Sequence, residues 1–316
     1  MSGSRLATSR VPNSVMQLLA KRPLFLLATS LAVVLAGCGP SEPGATPSPS
    51  SDATTGAQAP TTSTSTSESP SPSASDETPV LVYLIRGGML GVSGRQVSAP
   101  GGAVLRAALD ALLSGPSTAD RSGGLTTEIP ASADLLGVAL TGVTATVDLS
   151  SAFDRPAGHL AVQRRVAQIV ATATQFTNVR RVAFAIEGSP VSMVGGGFAT
   201  TPFVTRQDIE RVSPQVLVET VWPGAQFTSP VRFAGTANTF EAVVPWRVER
   251  SDGSIVAKGS TMATSGTGTR GTFDLALRLG RFTGGAVLVT GSENNLTGGP
   301  NFVRQIEIPF TVQAGS

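Results

Sequence analysis

Cysteine and histidine are almost absent from this sequence, because its 316 residues contain only one of each, Cys38 and His159. A lone cysteine excludes an intramolecular disulfide, and one cysteine with one histidine cannot supply the several ligands of a zinc site. Aromatic residues are also few, at 13 Phe, two Trp and one Tyr, which leaves little for a sugar-binding surface. The sequence therefore predicts no metal ion and no cofactor.

An excess of positive charge is missing once the N-terminus is set aside. Four of the 23 basic residues lie within residues 1–23, which contain no acidic residue, so the rest of the chain has 19 basic against 21 acidic residues. Such a balance gives no reason to expect nucleic-acid binding. Arginine outnumbers lysine 21 to 2, which is typical of a GC-rich genome and fits an actinobacterial protein.

The N-terminus has the pattern of an export signal. A basic start is followed by an apolar run over residues 24–37, and 14 residues are too few to span a membrane, which takes about 20. The run ends in Leu35-Ala36-Gly37-Cys38, which resembles the bacterial lipobox. The resemblance implies cleavage between Gly37 and Cys38 and diacylglyceryl attachment, with palmitate-type chains, to the Cys38 sulfur.

We therefore predict a signal peptide over residues 1–37 and a lipid anchor on the extracytoplasmic face of the cell membrane. The alternative is an ordinary secretory signal with an incidental cysteine. Residues 38–78 are predicted to be the lipidated cysteine and a disordered linker, since 26 of the 40 residues after Cys38 are Ser, Thr or Pro.

Residues 79–213 alternate between strand and helix patterns. Strands are predicted in PVLVYLIRGG, DLLGVAL, VTATVDLS and RRVAFAIEG, and apolar residues at helical spacing predict helices in AVLRAALDALLSGP and HLAVQRRVAQIVATATQF. The second helix is expected to bury a stripe that includes Leu160 and Val166. Two helices against one small sheet give an α+β module.

A family resemblance rests on six strings taken in order: VYLIRGG, ALDALLSGPS, GLTTEIP, ATVDLSSAF, AQIVATATQF and VAFAIEGSPV. Together they resemble the GerMN domain of bacterial sporulation and germination proteins. The resemblance implies a compact α/β fold similar to ring-building modules of envelope assemblies, with no catalytic residues. The family's namesake has two such domains in tandem, whereas this chain has one.

Residues 214–316 have the pattern of an immunoglobulin-like β-sandwich, with about seven short strands and a Ser-Asp-Gly-Ser turn at 251–254. Pro245 and Pro309 fall inside strand patterns, which predicts edge or bulged strands. The strings VWPGAQFTSPVRFAGTANTFEAVVPWRV and IEIPFTV resemble the immunoglobulin-like domain found beside GerMN domains in spore-germination proteins.

No catalytic constellation is expected. His159 with Asp148 and Ser150 would suggest a triad, but no Gly-x-Ser-x-Gly elbow accompanies them, and we interpret them as helix-start, strand and turn residues. The run Gly195-Gly196-Gly197 lacks phosphate-loop spacing and is interpreted as a flexible connection. Residues 293–295 are interpreted as a sandwich loop rather than a calcium site.

Two further features leave alternatives open. Trp222 and Trp246 are expected to pack at the core or rim, although they would also suit a ligand platform. The pairs at 164–165 and 180–181 are all arginine, and we expect solvated faces rather than a basic patch.

The sequence favours a non-enzymatic lipoprotein whose two modules bind other proteins in a cell-envelope assembly. The expected partners are the membrane, through lipid on Cys38, and unidentified envelope proteins, with self-association as a further option. The alternative is recognition of a cell-wall or glycan ligand, and a hydrolase is the third option.

Overall fold

The computed structural model describes residues 77–292 and 302–315. The predicted signal peptide, Cys38 and most of the predicted linker lie outside the described residues, as do residues 293–295. The predictions made for them therefore stay predictions.

Two sheets, a short hairpin and three helices make up the N-terminal module. In chain order the elements are β1 (Glu77–Arg86), β2 (Met89–Ser98), α1 (Val104–Leu113), α2 (Thr118–Ser122), β3 (Leu125–Thr126), β4 (Leu135–Thr141), β5 (Thr144–Leu149), α3 (His159–Ala173), β6 (Arg181–Ile186), β7 (Ser189–Pro190), β8 (Met193–Val194) and β9 (Phe198–Ala199). The sheets have the orders β2-β1-β3 and β4-β5-β6-β7, with β8 and β9 as the hairpin. The mixed α+β class is confirmed, with two main sheets where one was expected.

Strand β5 shows why the local pattern was informative. Ala145, Val147 and Leu149 are buried on one face, as their alternation predicts, while Val143 before the strand is 44 % exposed. β5 pairs antiparallel with β4 and parallel with β6. A parallel pair needs a crossover, and α3 provides it.

Helix α3 lies at the centre of this module, with 11 of its 15 residues buried. Leu160, expected in its core stripe, is instead 45 % exposed in the first turn. Two of the buried polar side chains of α3 bond the backbone of β1. Thr172 Oγ1 accepts a hydrogen bond from the Tyr83 amide at 3.1 Å, and Gln168 Nε2 donates to the Tyr83 carbonyl at 3.2 Å. The helix thereby satisfies backbone groups of β1 that no strand pairs.

The C-terminal module is an all-β sandwich, as predicted, with eight strands where about seven were expected. They are β10 (Val216–Val218), β11 (Gln226–Thr228), β12 (Val231–Ala237), β13 (Val243–Arg250), β14 (Ile255–Met262), β15 (Gly271–Leu277), β16 (Gly284–Ser292) and β17 (Val303–Gln313). The two sheets have the orders β10-β12-β15 and β11-β17-β16-β13-β14. Buried residues of both sheets form one core, including Phe233, Phe273 and Leu288.

Pro245 and Pro309 were expected to mark edge or bulged strands, and only the edge alternative is wrong, because β13 and β17 both lie inside the five-stranded sheet. Both strands have register irregularities, but these lie at Val248/Glu249 in β13 and opposite Thr290/Ser292 in β17. Pro245 pairs with β14 but precedes the ladder to β16, and Pro309 pairs with β16 but precedes the ladder to β11. Each proline is therefore paired on one side only. The N–H that it lacks costs no ladder bond on the unpaired side.

Candidate functional site

The two modules share strand β10. Val216 and Val218 belong to the core of the sandwich, whereas Leu217 between them belongs to the core of the N-terminal module. Because successive side chains of a strand point to opposite faces, one strand closes both cores. All described residues accordingly fall in one compact unit.

Glycines accommodate the segment Trp222-Pro223-Gly224, which follows β10. A Cβ at Gly94 in β2 would collide with the Trp222 ring, and one at Gly123 after α2 would collide with Pro223. Trp222 also meets Phe227 edge to face, with ring centroids 5.7 Å apart. We call this contact the Trp222 dock. It answers the question left open for Trp222, which packs between the modules.

A polar cluster joins the modules beside this contact. Arg206, in the segment between the modules, donates from Nη1 to Glu219 at 3.0 Å and from Nη2 to the Tyr83 hydroxyl at 2.9 Å. The Tyr83 hydroxyl donates a hydrogen bond to the Glu219 carboxylate. Burial raises the pKa of Tyr83 far above its ordinary value, so its hydroxyl stays protonated. We call Tyr83, Arg206 and Glu219 the Arg206 cluster.

A cavity of about 760 Å³ opens at the same junction. The N-terminal module contributes Arg86 and Met89, and the sandwich contributes Gln215, Val287 and Ile306 among others. This volume lies in the range of small-molecule sites, which are about 300–1,000 Å³. We call it the Arg86 cavity. Sequence analysis missed it; the available signal was a charged residue closing the apolar run of β1.

An aliphatic surface lies on β4 of the N-terminal module. Leu136 and Leu140 of β4 are 44 % and 42 % exposed, and Val143 follows in the turn to β5. β4 is the edge of its sheet, and it contains no charged residue and no proline. We call these three residues the β4 surface.

The residues considered as a triad do not form one. Asp148 accepts a hydrogen bond from the Gly188 amide and Ser150 accepts one from the Asp134 amide, each at 2.9 Å, while His159 is exposed at the first position of α3. In the part of the chain that the structure describes, no hydrogen bond joins any two of the three. Their arrangement gives no nucleophile and base in contact.

The expectation of solvated arginine pairs is met only by Arg180, which is exposed, whereas Arg165 is buried and both Arg164 and Arg181 are half-buried. Arg165 is 5 % exposed and donates to three carbonyls, those of Glu128, Phe153 and Arg155. Arg164 donates to the Gly88 carbonyl at 2.8 Å. Arg164 also pairs with the Glu128 carboxylate at 3.3 Å, so Arg164 and Arg165 hold loops together rather than face a polymer.

The remaining candidates are structural. The glycines at 195–197 form the turn between β8 and β9, and the Gly195 amide donates to Asp154 at 2.7 Å, so this segment is a packed turn rather than a flexible connection. Trp246 is half-buried against the sandwich core. Across residues 77–292 and 302–315, no three His, Cys, Asp or Glu side chains group as metal ligands. No helix in these ranges is long and apolar enough to cross a membrane.

Two family models match the chain in the predicted order. The model for sporulation and spore germination, Germane, matches residues 82–192, and the model for the immunoglobulin-like domain of bacterial spore germination, Gmad2, matches residues 215–298. The chain carries a Germane domain followed by a Gmad2 domain. The resemblance predicted for both modules is thus confirmed, and the Arg86 cavity lies where the Germane and Gmad2 domains meet.

Solved structures give weaker likenesses. A candidate lipoprotein from Clostridium perfringens is 20 % identical with a TM-score of 0.32, and the match covers 43 % of this chain and 93 % of that one. The first GerMN domain of the Bacillus subtilis sporulation protein GerM is 21 % identical with a TM-score of 0.34, covering 42 % and 99 %. The tandem GerMN domains of GerM are 12 % identical with a TM-score of 0.35, covering 64 % and 61 %. No curated protein matches the chain. At these scores the structural likenesses decide neither function nor assembly.

Proposed function

We propose that this protein is an extracytoplasmic lipoprotein, held at the membrane by lipid on Cys38, whose Germane and Gmad2 domains form a non-enzymatic interaction module of an envelope assembly. The β4 surface is the observation that carries the proposal. Neither domain type is known as an enzyme, and both bear names from spore germination. The lipobox-like run Leu35-Ala36-Gly37-Cys38 supports the location.

The edge of β4 favours a protein partner for a physical reason. An edge strand presents unpaired N–H and C=O groups, and monomeric proteins protect such edges with charges, proline or a covering element. On β4, Arg106 of α1 reaches only the Leu135 carbonyl, at 3.2 Å. An aliphatic, uncharged edge fits strand addition by an envelope protein, whose backbone would supply affinity and whose apolar side chains would cover Leu136 and Leu140.

Photo-crosslinking in cells tests this proposal. A photoreactive residue in place of Val143 should capture a recurrent envelope protein, identified by mass spectrometry, whereas one at exposed Arg278 should not. Leu140→Lys should reduce the Val143 crosslink at least about tenfold, because a charge opposite an apolar partner must be desolvated. A ladder of self-crosslinks would identify a second copy as the partner.

Two outcomes would count against it. Equal capture at Val143 and Arg278 would mean that the β4 surface is not a specific interface. Recovery with wall polysaccharide and no protein would favour the glycan-binding alternative.

A further inference from the structure

One end of the sandwich is built from three loops that the topology brings together. Strands β11, β13 and β15 run toward this end, and β12, β14 and β16 run away from it. The three loops are residues 229–230, 251–254 and 278–283. They are in contact, because the Leu279 amide donates to the Ser229 hydroxyl at 3.1 Å. The Arg250 guanidinium also lies 5.3 Å from the centre of the Phe282 ring. We call this surface the Arg278 end.

The Arg278 end is basic. Arg250, Arg278 and Arg281 are exposed there, and Asp252 is the acidic residue of its three loops. Three arginines against one aspartate leave two positive charges. Among the described residues, neither Arg278 nor Arg281 has a hydrogen-bond acceptor or an ion-pair partner. Their charges are therefore available to an anion outside the chain.

An aliphatic side chain accompanies these charges. Ile255 is the first residue of β14, directly after the 251–254 loop, and it is 49 % exposed. Exposed cations around an apolar side chain are typical of surfaces that bind anionic membranes, because the cations meet the headgroups and the apolar group enters the interface. The composition of the Arg278 end fits such a lipid surface.

The predicted linker joins the fold near this end. β1 begins at Glu77, and Pro79 lines the same pocket as Gln226 of β11. Gln226 pairs with Thr311, and Thr311 pairs on its other side with Gly285, close behind the 278–283 loop. The chain that leads to the predicted lipid anchor therefore leaves the fold only a few strands away from the Arg278 end.

The opposite end of the sandwich shows why this position matters. Phe240 and Met262 are 59 % and 61 % exposed there, and Arg304 at the start of β17 is exposed as well. The two ends are about 23 Å apart, since β14 joins them with eight residues. Composition alone does not choose between them. The start of the linker does, because a surface close to its tether meets the membrane at a higher effective concentration.

We propose that the Arg278 end docks on the anionic surface of the membrane that holds the lipid anchor. Arg278 and Arg281 bind phosphate groups of the lipid headgroups, and Ile255 enters the interface. The contact is reversible and sensitive to salt, because exposed charges are screened. The inference rests on the membrane location proposed above for the lipoprotein, and it is independent of the β4 surface.

Reconstitution of the full-length chain, processed in cells and purified in detergent, tests the proposal. The vesicles contain phosphatidylcholine with or without phosphatidylglycerol, and a nitroxide-labelled lipid as quencher. The fluorescent residue dansylalanine replaces exposed Ser251, and the matched reporter replaces exposed Thr269 in the loop at the opposite end. With phosphatidylglycerol, quenching at Ser251 should be at least about threefold stronger than at Thr269. The difference should disappear without phosphatidylglycerol or at high salt.

Variants locate the docking. Arg278→Gln combined with Arg281→Gln should lower the ratio of docked to undocked Ser251 reporter about twentyfold, roughly fivefold for each arginine. Arg211→Gln combined with Arg304→Gln removes the same charge from exposed positions beside the opposite end and should leave the quenching unchanged. Both double variants should keep the melting temperature of the parent, because they alter exposed side chains only.

Several results would overturn the proposal. These are equal quenching of the two reporters, quenching that does not depend on phosphatidylglycerol, and quenching that survives the loss of both arginines. A response of the Ser251 reporter to soluble polyglycerol phosphate, equal to its response to vesicles, would assign the Arg278 end to a wall polymer instead.

Loss of the anchor and loss of docking are separate results. A chain that floats with neither kind of vesicle has no lipid on Cys38, which would overturn the proposed anchoring. An excess of phosphatidylglycerol vesicles added to that chain should still quench the Ser251 reporter, because the arginines need no tether to bind headgroups. Absence of quenching in this arm would overturn the docking.

Discussion

Two arginines at the domain junction differ in the hydrogen-bond acceptors that their guanidinium groups find. Arg206 donates to Glu219, to the Tyr83 hydroxyl and, from Nε, to Thr174 at 2.9 Å. Arg86, three residues after Tyr83 on β1, has two buried nitrogens without an acceptor among the described residues. Both side chains therefore involve β1. Arg206 bonds Tyr83 of this strand and joins the domains, whereas Arg86 belongs to the strand and lines the cavity between them.

The difference separates structural from functional groups. A buried charge that is fully hydrogen-bonded stabilises one arrangement of its neighbours, and removing it leaves those neighbours unpaired. A buried charge without acceptors lowers stability, and such costs are characteristic of binding sites. Removing Arg206 should therefore cost more stability than removing Arg86.

The largest effect is expected for Arg206→Met. It leaves the Glu219 carboxylate beside Tyr83 without its cation, and we expect a loss of about 2–3 kcal/mol in the free energy of unfolding. The estimate is below that for a fully buried pair because the Arg206 side chain is 31 % exposed. Urea denaturation measures it. Arg232→Met, whose exposed ion pair should contribute less than about 1 kcal/mol, is the matched control. Equal losses in Arg206→Met and Arg232→Met would mean that the Arg206 cluster stabilises the fold no more than an exposed ion pair does.

The next effect concerns the Trp222 dock. Gly94→Ala places a methyl group inside the space of the Trp222 ring, so the ring or β2 must shift, at a cost of about 1–3 kcal/mol. Gly285→Ala is the control, because no heavy atom lies within 4 Å of its added Cβ. Melting temperature and Trp fluorescence report both changes. An unshifted emission spectrum and melting temperature in Gly94→Ala would mean that the dock does not form.

The sequence predicted those parts of the fold that depend on local patterns. Alternation located β5, and helical spacing located α1 and α3 within a few residues. It did not reveal β2, which contains Gly91 and Gly94 and lacks a strong strand pattern. Gly91 is required by Leu125 and Gly94 by Trp222, both distant in sequence. The reason for these glycines lies in tertiary contacts that a local pattern does not contain.

The candidate site was less predictable than the fold. Trp222 was singled out, but nothing in the sequence shows that it contacts Gly94. Arg165 looked like a surface charge because arginine usually is one, and only the fold brings three carbonyls to it. The lack of an acceptor for two Arg86 nitrogens likewise depends on which groups the folded chain places nearby. The lipid on Cys38 stays a prediction from the sequence.

The smallest effect is expected at Glu210, which precedes the sandwich and is 35 % exposed. Burial alone would raise the pKa of its carboxyl, but hydrogen bonds from Arg270 and Asn238 outweigh it and hold the pKa below the ordinary 4.5. The Glu210 contribution to stability is therefore present above pH 4.5 and is lost as the pH falls through the folded-state pKa. Glu210→Gln should be less stable than the parent near pH 7, and the difference should shrink in acid.

Urea denaturation from pH 7 to pH 3 measures this closing difference. Glu241→Gln is the control, since the Glu241 side chain is exposed and makes no hydrogen bond to any described residue, so its difference from the parent should stay near zero throughout. A Glu210→Gln difference that stays constant with pH would mean that its carboxylate is not stabilised by Arg270. In that case pairing with two nitrogens of one arginine would not stabilise a carboxylate in this fold.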